Sequence, residues 1–179
     1  MKIWTKKIFF LSKSVNPDCH WGIKQNFKKM ETRINLFAKG QNAIKHLFEI
    51  GGHLKKSPLD HNLLELVFFR VSQINGCAYC LDMHSKELRA AGEDEQRLYG
   101  LSAWKETPYY SERERAALAY AEGVTSCHIS DELYSLAKGV FSEEELIDLT
   151  LAITTINTWN RLNIAFPNTP GTYKVGMFG

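Results

Sequence analysis

Several things are scarce in this sequence of 179 residues. Neither charge is in surplus: 22 basic against 20 acidic side chains leave a formal net charge of +2. That excludes the strong basic field with which a dedicated nucleic-acid binder neutralises phosphates. No apolar run approaches the roughly 20 residues needed to cross a bilayer, which argues against a membrane partner. Proline occurs only five times, so little interrupts long helices. Cysteine occurs four times, at Cys19, Cys77, Cys80 and Cys127, and only Cys77 and Cys80 make a recognisable pair. A secreted disulfide framework would use more cysteines, more evenly. A reducing, cytoplasmic compartment fits better, and there a Cys-x-x-Cys reads as redox or metal chemistry. What remains is 44% hydrophobic and 23% charged, the composition of a soluble globular protein. The length favours one domain.

The first residues differ from the rest. Met1 to Leu11 is basic and apolar, but its apolar core, Ile8 to Leu11, is shorter than the roughly seven residues of a signal peptide, and no small-x-small cleavage site follows. Asn16-Pro17-Asp18 marks a turn. We read residues 1–29 as an N-terminal extension, disordered or adventitious; a targeting or partner-binding arm is the functional alternative. The adjacent Cys19-His20 cannot make a metal site alone.

Beyond Met30 the patterning is helical. Apolar positions from Leu36 to Ile50 recur at three- and four-residue steps, predicting one amphipathic helix over 34–56, weakened near Gly51-Gly52. Asp60 can cap a second helix running to about Ile74, apolar nearly all round from Leu63 to Val71 and therefore buried. Asn75-Gly76 breaks it. A third helix runs from about Cys77 to Ala91, and shorter ones follow over 93–100, 111–123 and 131–138. Ser111 with Glu114, and Ser142 with Glu145, are capping boxes. The second opens a long helix reaching at least Thr158, apolar on more than one face, hence a bundle centre or a subunit interface. The tail after Pro167 reads as irregular. No alternating strand pattern, Gly-rich phosphate loop or internal repeat is visible.

The chemistry concentrates in Asn75-Gly-Cys77-Ala-Tyr-Cys80-Leu-Asp-Met-His84. At about 100° per residue, Cys80 falls about 60° and His84 about 20° from Cys77, all on one narrow helical face. Cys77 stands in the first turn, where free amides and the helix dipole favour a thiolate. His84 follows Cys80 by one turn and can accept its proton. Two sulfurs so spaced can close a disulfide after one is oxidised. Glu65 is the fourth member: a carboxylate among Leu63, Leu64, Leu66 and Val67 needs a partner. With His61 and Ser72 it forms a polar seam that a helical hairpin could bring beside the cysteines. The bland readings are apolar packing of the cysteines, a structural ion pair for Glu65, and structural zinc, for which Cys127 or His128 would have to complete the ligand set.

These residues resemble a known family. Glu65, eleven intervening residues, Cys77-x-x-Cys80, three residues and His84 are similar to the motif of the alkylhydroperoxidase AhpD family, within the carboxymuconolactone decarboxylase-like superfamily. The resemblance spans roughly residues 30–166 and includes Ile156-Asn-Thr-Trp-Asn-Arg161 in the last helix. It implies an all-α, AhpD-like helical bundle over residues 30–179, with the Cys-x-x-Cys at the N-terminus of a buried helix, assembled as a homo-trimer or homo-hexamer. It implies reduction of an alkyl hydroperoxide, with Cys80 as peroxidatic residue, Cys77 resolving, and His84 with Glu65 as a proton relay through a bridging water. It implies no bound cofactor or metal. An external dithiol reductant, a lipoyl or thioredoxin-like carrier protein, reopens the disulfide. The best-known peroxidase member has a histidine where this chain has Tyr79, a phenol that cannot serve as a base near neutral pH. Helical spacing turns Tyr79 away from the cysteine face. The decarboxylase branch lacks the cysteine pair, which disfavours lactone decarboxylation. The rival from another class is a stress-response binding module that uses the pair as a redox switch without efficient turnover.

Overall fold

The computed structural model describes residues 33–178; the extension read over residues 1–29, with Cys19 and His20, lies outside the described residues. The described chain folds into helices α1 (Leu36–Lys39), α2 (Gln41–Leu54), α3 (His61–Asn75), α4 (Ala78–Ala90), α5 (Glu95–Gly100), a 3-10 turn (Leu101–Glu106), α6 (Glu112–Thr125), α7 (Asp131–Val140) and α8 (Glu143–Ala165). No strand occurs among the described residues.

The helix starts follow from their caps. Asp60 Oδ1 accepts from the Leu63 amide at 3.0 Å and opens α3. Both expected capping boxes form, Ser111 with Glu114 and Ser142 with Glu145. The helix expected over 34–56 is two. Asn35 caps a single turn, α1, and the chain bends at Gly40 before α2 begins. A Cβ on Gly40 would stand 2.7 Å from the Leu36 carbonyl oxygen, so the corner accepts only glycine without movement. Gly51 and Gly52, the expected weak point, stay helical inside α2.

Helix α3 is the axis of the bundle. One side, with Leu63, Leu64, Val67 and Val71, packs into a core shared with α6, α7 and α8. Its other side, Leu66 and Phe69, joins Leu88 of α4 with Leu98, Leu101, Trp104, Tyr110 and Leu118. Leu66, Val67, Val71, Leu88, Leu118, Leu149 and Ile153 are sealed from solvent. Each stabilises the fold by about 1.5–3 kcal/mol on burial.

The turn between α3 and α4 sets the position of the cysteine pair. Gly76 adopts φ 68°, a left-handed conformation that costs other residues about 1–2 kcal/mol. It lets the Cys77 amide turn back to donate to the Ser72 carbonyl at 3.1 Å, closing α3. The chain reverses at once, so α4 starts with Cys77 as N-cap and lies along α3.

The segment after Pro167 has no helix, as its composition suggests, yet it is tied to α4. The Gly171 amide donates to Asp82 Oδ2 at 2.8 Å, and Lys86 Nζ donates to the Tyr173 carbonyl at 3.0 Å. Glu87 Oε1 accepts from the Gly176 amide at 2.8 Å and from the Tyr173 hydroxyl. Tyr173 is buried as a result.

Candidate active site

The antiparallel pairing of α3 and α4 brings Glu65 to His84. Glu65 Oε2 lies 2.8 Å from His84 Nδ1, with both side chains buried. The contact is direct. A carboxylate accepts, so Nδ1 donates its proton to Glu65 and Nε2 is the ring nitrogen left for chemistry. Nε2 is buried and has no hydrogen-bond partner among the described residues. A buried polar atom without a partner is costly, and such atoms occur where a site keeps a group free for chemistry. The Phe68 ring, 5.3 Å from the imidazole at 45°, shields it.

Cys77 and Cys80 are joined as a disulfide, with Cα atoms 5.4 Å apart. Both are buried at 1% and 0% exposure. Cys77 is the N-cap, and its sulfur accepts from the Cys80 amide at 3.4 Å. This is the electropositive helix start that stabilises a thiolate. His84 follows Cys80 by one turn on the same helix. The Cys80 sulfur is touched from α8, where Asn163 Nδ2 donates to it at 3.7 Å.

Beside this group lies a cavity of about 430 Å³. Glu65 and His84 form part of its wall, with Leu64 and Phe68 of α3, Met83 of α4, Phe48 and Leu54 of α2, and Ile156 and Trp159 of α8. Tyr173 and Phe178 of the C-terminal segment complete it. Phe178 stacks on Phe37 at 5.5 Å between ring centroids, and Phe37 stacks on Trp159 at 6.4 Å, so part of the wall is an aromatic cluster. The cysteines are not among its lining residues, but Asn163, which is, touches the Cys80 sulfur.

Tyr79 also lines the cavity, which the cysteines do not. Its ring meets Tyr173 edge-on at 6.5 Å, and the phenol is nearly buried. The C-terminal segment crosses α4 here and covers a face that an isolated helix would leave to solvent. Burial, assisted by the Asp82 charge, pushes the Tyr79 phenol above its ordinary range, so it stays protonated near neutral pH.

The polar seam expected from His61 and Ser72 divides. Ser72 is sealed and accepts from Asn160 Nδ2 at 3.0 Å, a link between α3 and α8. His61 is exposed at the start of α3 and reaches the cavity rim. Cys127 is free and exposed, in a left-handed conformation after α6, where the His128 amide donates to the Gly123 carbonyl at 2.9 Å. The pair ends a helix. Among the described residues no group of three or more His, Cys, Asp or Glu side chains is placed to hold a metal ion. Asn163, Tyr173 and Glu87 belong to the site and were not anticipated. For Asn163 a signal exists: Ala152, Ile156, Asn160 and Asn163 follow one another at helical steps, so two amides sit on the buried stripe of α8.

Known proteins share this architecture. The chain is 40% identical over 142 residues to the uncharacterised protein YdfG of Bacillus subtilis, covering 78% of this chain and 97% of that protein. A solved structure from Agrobacterium tumefaciens, a protein of unknown function for which a role in antioxidant defence as AhpD has been suggested, superposes with a TM-score of 0.76. It is 37% identical, over 80% of this chain and 100% of that one. The debrominase Bmp8 has the same fold at a TM-score of 0.67 and 20% identity, over 75% of this chain and 74% of its own, so the fold carries more than one chemistry. Residues 41–123 match the carboxymuconolactone decarboxylase family, and with these relatives the chain belongs to that family, in its AhpD-like form.

Proposed function

We propose that this protein is a thiol-dependent peroxidase that reduces alkyl hydroperoxides through Cys80, Cys77, His84 and Glu65. One observation carries the reading: a buried carboxylate orients a buried imidazole whose free Nε2 has no structural use, one helical turn from a cysteine able to form a disulfide. The apolar cavity beside the imidazole supports an organic peroxide over hydrogen peroxide.

In the proposed cycle His84 Nε2 takes the Cys80 proton, and the Glu65 carboxylate steadies the imidazolium that results. The Cys80 sulfur bonds to the terminal peroxide oxygen, the O–O bond breaks, and the alkoxide takes the proton from His84 and leaves as an alcohol. Cys77 then attacks the sulfenic acid, forming the disulfide and releasing water. An external dithiol, lipoyl or thioredoxin-like, returns two electrons by exchange. Assembly as a homo-trimer or homo-hexamer is part of the proposal, supported by exposed apolar side chains such as Ile147 and Leu136.

The test is steady-state consumption of an alkyl hydroperoxide with dihydrolipoamide. The native chain should turn over and Cys80→Ser should not. Cys77→Ser should react once and stall as a sulfenic acid. Undiminished turnover by Cys80→Ser removes the mechanism; a peroxide-sensitive disulfide without turnover leaves a redox switch.

A further inference from the structure

Asn163 has an amide orientation that its neighbours dictate. Its Nδ2 lies 3.0 Å from the Trp159 carbonyl oxygen, which can only accept, so the atom there is nitrogen. Its Oδ1 accepts from Asn168 Nδ2 at 2.8 Å. One N–H is thus spent on Trp159, and the other is presented to Cys80 Sγ at 3.7 Å. Asn160, one turn earlier, is fully buried and engaged with Ser72 and Asn75, so its amide ties helices together. Asn163 instead combines a sulfur contact with a place in the cavity wall.

We infer that Asn163 is a catalytic residue whose Nδ2–H stabilises the Cys80 thiolate, both before attack on the peroxide and when the disulfide is reopened. The inference rests on the thiol cycle proposed above. In the reductive step, one thiolate of the external dithiol forms an S–S bond to Cys77. The Cys77–Cys80 bond breaks, and its electron pair remains on the Cys80 sulfur, where the amide donates. The second thiol of the reductant, as thiolate, then closes the reductant's own disulfide and releases Cys77, which takes a proton. Cys77 has its own donor in the Cys80 backbone amide at 3.4 Å, and the Asn163 amide supplies one to Cys80, which improves Cys80 as the leaving group.

On the elements packed around Cys80, α3 carries Glu65 and an Arg70 paired with Glu122; α4, capped by Cys77, carries Tyr79, His84, Asp82 paired with Lys86, Glu87 bound by Tyr173, and Arg89 paired with Glu95. Helix α8 adds no charge there: Asp148 is engaged by His53 and Ser57, and Arg161 is exposed and donates to Asn157. From that side the sulfur meets a neutral donor.

The experiment is a pH titration of thiolate ultraviolet absorbance in the full-length chain carrying Cys19→Ser, Cys77→Ser and Cys127→Ser, so that Cys80 is the only thiol. Asn163→Leu removes the donor at similar volume, and Asn163→Asp keeps the shape while replacing the amide nitrogen with oxygen. Both should shift the Cys80 midpoint upward by about one unit, a tenfold loss of thiolate at a given pH. Circular dichroism identifies a variant that fails to fold, and the folded one then decides. A midpoint unchanged in a folded variant overturns the inference. The readout needs no peroxide. A shifted midpoint in a chain without peroxide turnover removes the peroxidase reading and leaves the Asn163–Cys80 interaction standing. Native turnover with an unshifted midpoint removes only the role of Asn163.

Discussion

Glu65 illustrates how one residue can be costly for stability and useful for chemistry. Its carboxylate sits among leucines on the most buried helix, a position tolerated because His84 Nδ1 meets it at 2.8 Å. Glu65→Gln keeps the volume and an acceptor for Nδ1 but cannot stabilise an imidazolium. Peroxide turnover should fall by about 10²–10⁴-fold, the usual contribution of positioned acid–base catalysis. Urea unfolding should change little for that variant, whereas Glu65→Ala leaves Nδ1 unpaired and should cost about 1–3 kcal/mol. Native turnover by Glu65→Gln would remove the relay. At this scale much was legible. An acid in an apolar stretch and a cysteine pair with a histidine one turn on are exceptions to their surroundings, and exceptions are visible in a sequence. The burial of Tyr79 was not legible, because its environment comes from a segment almost a hundred residues later.

Between elements, one polar tie outside the site joins the end of α2 and the following turn to α8. Asp148 Oδ1 lies 2.8 Å from His53 Nε2, and Asp148 Oδ2 accepts from the Ser57 hydroxyl. Burial pushes the Asp148 carboxyl up, but the hydrogen bonds from Ser57 and His53 and the charge of His53 outweigh it and hold it below its ordinary range. A carboxyl depressed on folding stabilises the protein above the unfolded value of about 3.9, and that stability is lost as pH falls further, through the folded value. Thermal melts of the native chain should therefore drop in that acid window. Asp148→Asn should be less stable than the native chain near neutrality and show a shallower acid loss. Parallel acid limbs for the two proteins would remove Asp148 as the cause. Helix ends were legible, because caps are local: Asp60, Ser111 and Ser142 act within four residues of themselves. The division of the first helix at Gly40 was not, because an apolar repeat continues across a corner that only packing makes.

For the molecule as a whole, the exposed apolar side chains bear on assembly. Ile147 on α8 is 69% exposed, and Leu136 and Tyr134 on α7 are 52% and 46% exposed. If these faces meet in the proposed trimer or hexamer, light scattering should give three or six times the 20.5 kDa chain, and Ile147→Glu should reduce that mass. A native mass of one chain would remove the assembly. Among the described residues no helix is long and apolar enough to cross a membrane.

Helical class, most helix ends and the clustering of Cys77, Cys80 and His84 were determined by the sequence alone, because capping, turn formation and helical periodicity act over a few residues. The meeting of Glu65 with His84 required the hairpin that Gly76 permits. The aromatic cavity, the burial of Tyr79 beneath Tyr173 and the approach of Asn163 to the Cys80 sulfur were decided only by tertiary structure. Those contacts join positions about 80 to 95 residues apart, and contacts that distant depend on how whole helices pack, which no local pattern encodes.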